Sequence, residues 1–246
     1  MDRLIYTAMT GAKHTLTQQA TTSHNLANAT TTGFRAQIDA FRAVPVQGAP
    51  FGTRAFVVDV TSGTDFRAGA IQHTGRELDV AVQGDGWLAV QTADGGEAYT
   101  RNGSLKLDEN GVLQTSSGLL VMGDGGPLSV PPGRNLAVAK DGTISLVPDG
   151  SQATGVTSVG RLKLVNPPGN ELVRGDDGLF RLKSGQPAAV DPNVNLVSGA
   201  LESSNVNVVD GMVDMISLAR QFEMQMKILQ HAENNDTKAA QLLSMS

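Results

Sequence analysis

Gly211-Met212-Val213-Asp214-Met215-Ile216-Ser217-Leu218-Ala219-Arg220-Gln221-Phe222 opens the last stretch of the chain, and after Gly211 no Gly or Pro occurs through Ser246. Gly and Pro are the two residues that break helices, one through its backbone entropy and the other through its missing N–H. About 35 uninterrupted residues predict a helix ~50 Å long at 1.5 Å per residue. Met212, Met215, Ile216, Leu218, Ala219, Phe222, Met226 and Leu229 make a broad apolar face at helical spacing, which fades where Glu233 and Asp236 fall on it. Asn205 and Asp210 are the candidate caps at its start.

The other end of the chain mirrors it. Ile5, Ala8, Met9, Ala12, Leu16, Ala20, Leu26 and Ala27 fall in an arc of about 120° at 100° per residue, a narrow, Ala-rich stripe suited to close helix packing. Thr30-Thr31-Thr32-Gly33 is expected to end that helix, since β-branched residues are poor helix formers and Gly suits a left-handed stop. A one-sided apolar face must be buried somewhere. The two end helices are therefore expected to pair, and the broader C-terminal face exceeds what the narrow stripe covers.

Between them the composition changes. All 10 prolines lie from Pro45 to Pro192, and only Gly11, Gly33 and Gly211 of the 28 glycines fall outside residues 48–200. Short apolar or alternating runs (78–82, 87–91, 104–107, 119–122, 143–147, 161–165 and 179–182) are separated by Asp-Gly or Asn-Gly pairs ending at Gly86, Gly95, Gly103, Gly111, Gly125, Gly142, Gly150 and Gly178. Such pairs supply the positive φ of tight hairpins, so the middle is expected to be antiparallel β. The predicted fold is α+β, with long N- and C-terminal helices pairing into a coiled-coil-like core and a central, mostly antiparallel β domain. Its expected divisions are an N-terminal helix at 1–33, an extended connector at 34–65, the β domain at 66–200 and a C-terminal helix at 201–246.

With 246 residues the chain is long enough to bury a core. No run approaches the ~18–20 apolar residues of a membrane span, and residues 1–30 lack the basic, apolar and small-residue segments of a secretory signal. With 19 Lys+Arg against 24 Asp+Glu, the net charge of −5 weighs against nucleic acid as the main partner. Zero Cys removes disulfides and thiol chemistry together. His14, His24, His73 and His231 share no metal-motif spacing, and Gly123-Asp124-Gly125-Gly126 lacks the Lys-Ser/Thr of a phosphate cradle. Asp108-Glu109-Asn110-Gly111 is not a full calcium loop. No enzyme activity, cofactor or metal is expected.

Ser23-His24-Asn25-Leu26-Ala27-Asn28, followed by Thr32-Gly33-Phe34-Arg35, resembles the N-terminal signature of the bacterial flagellar rod and hook proteins, which runs Asn-Asn-Leu-Ala-Asn, a short spacer, then Gly-Phe-Lys. Residues 199–206, Gly-Ala-Leu-Glu-Ser-Ser-Asn-Val, resemble the matching C-terminal signature, followed by Arg220, Phe222, Glu223 and Lys227 at family-like positions. Residues 78–86 and 99–103 look like the family's β domain. The opening residues 1–6 and 8–12 are most similar to proximal rather than distal rod members. His24, Arg35 and Trp87-Leu88 depart from the usual Asn, Lys and Phe-Phe.

The resemblance implies a structural subunit of the drive shaft that crosses the periplasm in the flagellar basal body. Such a subunit is made in the cytoplasm and exported unfolded by the flagellar type III apparatus without a cleaved signal peptide. Its terminal helices pack into a tubular core with the β domain outside. The implied partners are other rod proteins, including the distal rod protein, and the export apparatus, with no nucleic acid and no membrane insertion. The assembly interface is expected at Asn25, Leu26, Ala27, Asn28, Gly33 and Phe34, at Leu201, Glu202 and Asn205, and along Met212, Ile216, Ala219, Phe222 and Met226. Asn amides would bond across chains while Phe34 anchors in a neighbour.

Plainer readings exist for each group. Asn28 or Gly33 would simply cap a helix, a Met stripe would be core, and Arg220, Glu223 and Lys227 would be a solvated face. Two other classes compete for the whole chain. A wall-cleaving hydrolase would need two carboxylates ~5–9.5 Å apart, whereas Asp79, Asp85 and Glu97 fit strand-edge and turn positions. A β-domain binding module on a helical stalk is the third class.

Overall fold

The computed structural model describes residues 2–45, 55–148 and 155–244. The chain divides into a helical unit (residues up to Ala29, Ala36–Asp65, and from Val206 on) and a β unit (Thr30–Arg35 and Phe66–Asn205). The α+β class follows directly: two long helices and a mostly antiparallel β domain.

In the helical unit, α1 (Asp2–Ala27) packs against α2 (Val208–Ser244). Leu26 Cδ1 lies 3.9 Å from where a Cβ on Gly211 would sit, and Gln225 meets Gly11, so the pair runs antiparallel. Asn207 starts α2. Its Oδ1 accepts from the Val209 N–H at 3.0 Å, and its Nδ2 donates to Asp210 Oδ2 at 2.7 Å. The cap is thus two residues on from the expected Asn205, and Asp210 supports it from inside the first turn. α1 ends at Ala27, earlier than expected.

The span expected as an extended connector is a hairpin. Residues β1 (Gln37–Pro45) and β2 (Ala55–Thr64) pair antiparallel from Gln37↔Thr64 to Pro45↔Ala55, with a register shift between Ala40 and Phe41. It belongs to the helical unit, where Phe41 meets His14 of α1 edge-on at 5.3 Å. The intervening residues 46–54 lie outside the described residues, as does the turn expected at Asp149-Gly150.

The β unit is built on an antiparallel sheet of nine strands among the described residues, with Trp87–Gln91 at its middle between Glu97–Thr100 and Leu120–Gly123. Every one of the seven runs expected as β overlaps a strand. Trp87–Gln91 shows why the fold is stable: successive side chains point to opposite faces. Leu88 and Val90 enter one buried cluster with Val80, Leu113 and Ile144. Trp87 and Ala89 enter a second with Tyr99, Val165 and Phe180. Both faces are covered.

Gly86, Gly95, Gly111, Gly142 and Gly178 take the expected positive φ. Gly103 and Gly125 do not. Gly103 serves a close approach instead, since any Cβ there would run into the Val80 carbonyl.

Candidate assembly interface

The helix pair buries small residues most deeply. Ala12 is 8 % exposed and Ala232 2 %. A Cβ on Gly11 would sit 3.0 Å from Gln225 Nε2. Thr15, 2 % exposed, donates from Oγ1 to the Gly11 carbonyl at 3.0 Å and accepts from Gln225 Nε2 at 3.4 Å. Ile5, Ala8 and Leu26 of α1 and Met215, Leu218, Ala219, Phe222 and Leu229 of α2 are half-buried.

Pairing leaves apolar surface over on both helices. On α2, Val209 (68 %), Val213 (61 %), Ile216 (56 %) and Met224 (58 %) are exposed. At 100° per residue they fall within about 80° of arc and form one ribbon along the helix. Met212 and Ile228 flank it, also exposed, and Met226 is exposed nearer the α1-facing side. On α1, Tyr6, Met9 and Leu16 are exposed in the same way. The predicted N-terminal stripe therefore splits: Ile5, Ala8, Ala12 and Leu26 turn toward α2, while Met9, Leu16, Ala20 and Ala27 stay outside. Arg220 and Lys227 are exposed within the same arc, Arg220 standing between Ile216 and Met224, and Glu223 is exposed at its edge.

The segment expected as one joint, Asn25–Phe34, is divided between the two units. Asn25 belongs to the helical unit, where its side-chain amide donates to the Gln37 carbonyl at 2.8 Å and accepts from the Gln37 N–H at 2.9 Å. That reciprocal pair is what a neighbouring strand would offer, so Asn25 ties the start of β1 to α1. Thr21 adds a bond to Asp39 Oδ1 at 3.0 Å. Asn28 donates from Nδ2 to the His24 carbonyl at 2.9 Å, closing the last turn of α1. Leu26 and Asn28 are half-buried and Ala27 is exposed.

Residues 30–35 belong to the β unit, and the second group of predicted residues meets them there. The Gly33 N–H donates to the Glu202 carbonyl at 2.8 Å, and the Asn205 N–H to the Phe34 carbonyl at 3.4 Å. Gly33 has φ +69°, and a side chain on it would run into the Arg101 backbone. Its left-handed conformation thus serves this contact, not the end of α1. Phe34, 7 % exposed, lies under the Arg174 guanidinium, 4.6 Å from the ring centroid. Arg174 Nη1 also donates to the Arg35 carbonyl at 2.7 Å.

Glu202 is the centre of this clasp. It is 1 % exposed, with Arg35 Nη1 2.6 Å from Oε1 and Arg101 Nη1 3.0 Å from Oε2. The Gly69 N–H donates to Oε1 at 2.8 Å. Arg101 also donates to the Val82 and Gly84 carbonyls at 3.3 and 2.7 Å and lies over Trp87 at 5.3 Å. Burial pulls the Arg101 guanidinium below its usual pKa, and the Glu202 charge opposes that shift. Phe34 and Glu202, expected to meet a neighbouring subunit, are therefore occupied inside their own chain. Leu201 and Asn205 stay half-buried beside them, and Asn205 Nδ2 donates to the Arg67 carbonyl at 3.0 Å.

Three family models match the chain in order. The flagella basal body rod protein model covers residues 5–35, the flagellar hook protein FlgE/F/G D1 domain residues 81–146, and the flagellar basal body rod FlgEFG protein C-terminal residues 197–242. The flagellar basal-body rod protein FlgF of Escherichia coli (strain K12) is 53 % identical over 252 residues, covering all of both chains. The chain belongs to the flagellar basal-body rod protein family. FlgF of Salmonella typhimurium is 52 % identical over the same full length. The rod protein FlgG of Bacillus subtilis is 31 % identical over 93 % of this chain and 94 % of its own. The role of this rod-family chain is structural, in the rod of the basal body. Its terminal family matches overlap the two helices and include both segments of the clasp, Gly33–Arg35 and Leu201–Asn205.

Sequence reasoning missed the hairpin and the roles of Thr15, Arg101 and Arg174. The run Phe56-Val57-Val58-Asp59-Val60-Thr61 is rich in β-branched residues and carried a usable strand signal. No local pattern marks the two arginines, because their partners lie far away in the chain. No described helix is long and apolar enough to cross a membrane, and no cluster of metal-ligating side chains occurs among the described residues.

Proposed function

We propose that this chain is a subunit of the proximal part of the rod, and that it joins its neighbours through the apolar ribbons its paired helices leave exposed. The observation that carries this reading is the ribbon Val209, Val213, Ile216 and Met224, which stays outside after α1 and α2 have packed. Apolar side chains left exposed on one helix face after its partner has packed mark an interaction site. Burying it against further helices removes apolar area from water at about 25 cal/mol per Å².

Met212 borders the same surface, and an unbranched thioether suits a contact with non-identical neighbours. In this reading the helices join a coiled-coil-like tube with other rod proteins, among them the distal rod protein. Arrival there follows synthesis in the cytoplasm and passage through the flagellar type III export apparatus, without a cleaved signal. Torque passes through shared helix burial, so no catalytic group or cofactor takes part.

The test is the double substitution Val213→Asp with Ile216→Asp, both on exposed positions. The expected result is loss of swimming and absence of the variant from isolated basal bodies, with the Trp87 fluorescence of the β unit unchanged. Normal swimming with the variant incorporated would overturn the interface.

A further inference from the structure

We propose that residues 30–35 are a releasable strap of the β unit, and that the buried cation of Arg35 keeps its docking weaker than the fold around it. This holds whether or not the helix ribbons are the rod interface.

The argument is one of charge and of satisfied donors. Arg35 and Arg101 are 0 % and 3 % exposed at the side chain, and both face the single carboxylate of Glu202. A third guanidinium, Arg174, stands over Phe34. Docking the strap therefore adds a cation to a pair that is already neutral. Arg35 also brings donors that docking does not satisfy: its Nε, Nη1 and Nη2 have no partner in hydrogen-bonding geometry, although Nη1 stands 2.6 Å from Glu202 Oε1 as an ion pair. Burying a charge with unmet donors opposes burial strongly.

The undocked state, in contrast, leaves the buried Arg101–Glu202 pair bonded. Glu202 keeps the Arg101 Nη1 bond at 3.0 Å and the Gly69 N–H at 2.8 Å. Arg101 keeps the Val82 and Gly84 carbonyls. The contacts that hold the strap down include the buried ring of Phe34, the Arg174 contacts, the Arg35–Glu202 ion pair and two backbone bonds, one of them 3.4 Å long. The strap is also only six residues of the unit, joined to it by no strand pairing. It opens as a local unit, with the rest of the sheet intact, and opening exposes Phe34 and Arg35.

Amide hydrogen exchange on the full chain tests this. The Gly33 and Asn205 amides report the strap, and the Leu113 amide, bonded to the Leu128 carbonyl in the core, reports unfolding of the unit. In the wild-type chain the two strap amides are expected to be at least about 100-fold less protected than Leu113. Arg35→Met keeps length and removes the charge. It is expected to raise strap protection about tenfold and leave Leu113 unchanged. Equal protection of Gly33 and Leu113 in the wild type, which needs no variant to fold, overturns the proposal. So does an Arg35→Met strap whose protection is unchanged or lower.

Discussion

Arg101 and Glu202, separated by 101 positions in sequence, meet in the interior of the β unit with Arg101 Nη1 donating to Glu202 Oε2 at 3.0 Å. Glu202 is the anionic centre of the clasp and Arg101 its fixed partner, since Arg101 is also held by two carbonyls of the Val82–Gly84 segment. Glu202→Gln keeps the shape and removes the charge. Two buried guanidinium groups then face each other across a neutral amide. Breaking a buried pair in this way costs about 3–5 kcal/mol, and the expected result is a lower urea midpoint for the β unit, followed by Trp87 fluorescence. A midpoint equal to wild type would mean that the carboxylate is not what balances the arginines.

Tyr99 gives a pH-dependent test of the second core cluster. Its ring is buried, its hydroxyl accepts from the Ala188 N–H at 2.7 Å, and Glu97 lies nearby. Burial, the largest effect, pushes the phenol from 10.0 up to about 12, with the Glu97 charge adding to it. The folded state thus binds the proton more tightly than the unfolded one. The stability this contributes is complete below pH 10.0 and is lost as pH rises toward about 12. In Tyr6→Phe, which leaves Tyr99 as the remaining tyrosine of the 2 in the chain, phenolate absorbance is expected to appear near pH 12. Tyr99→Phe is expected to flatten the fall in stability between pH 10 and 12. Phenolate forming a full unit or more below that range in the folded chain would contradict the burial.

How much of this was legible in the sequence depended on how local the cause was. The helices at both ends follow from a local property, the lack of Gly and Pro after Gly211 and the spacing of apolar residues, and both are present. The Asp-Gly turns are local too, and Gly86, Gly95, Gly111, Gly142 and Gly178 behave as expected. Gly103 does not, because its role is set by the Val80 carbonyl, which comes from another strand. The hairpin at 37–64 was hidden because it packs on α1 with a register shift at Ala40/Phe41, which blurs any period-two pattern. The clasp was the least legible feature. Phe34, Arg35 and Glu202 stood out as part of a resemblance, but their mutual contact depends on chain separations of well over 100 residues that no periodicity encodes. A reader of the sequence would place Phe34 and Glu202 outward; tertiary packing turns them in.

Asn25 joins the C-terminal end of α1 to the beginning of β1, and its role can be separated from that of the helix pair. Both of its amide groups are spent on Gln37, at 2.8 and 2.9 Å, so the residue acts as a one-residue strand for an edge that otherwise has no partner at that position. Asn25→Ala removes both bonds and leaves the Gln37 N–H and carbonyl, which are half-buried, to find water. A cost of about 1–2 kcal/mol is expected for the two lost bonds. It should appear as faster amide exchange at Gln37 and its neighbours in β1. The α1–α2 contact rests on Ala12, Thr15 and Ala232, none of which touches the Gln37 bonds, so exchange in the middle of α2 should not change. Asn25→Asp makes the distinction sharper. It retains the acceptor for the Gln37 N–H and replaces the donor with a carboxylate oxygen facing the Gln37 carbonyl, so it should loosen β1 more than Asn25→Ala does. If both variants leave β1 exchange at the wild-type rate, the hairpin is held to α1 by its other contacts, Thr21–Asp39 and His14–Phe41 among them, and Asn25 is available for another role.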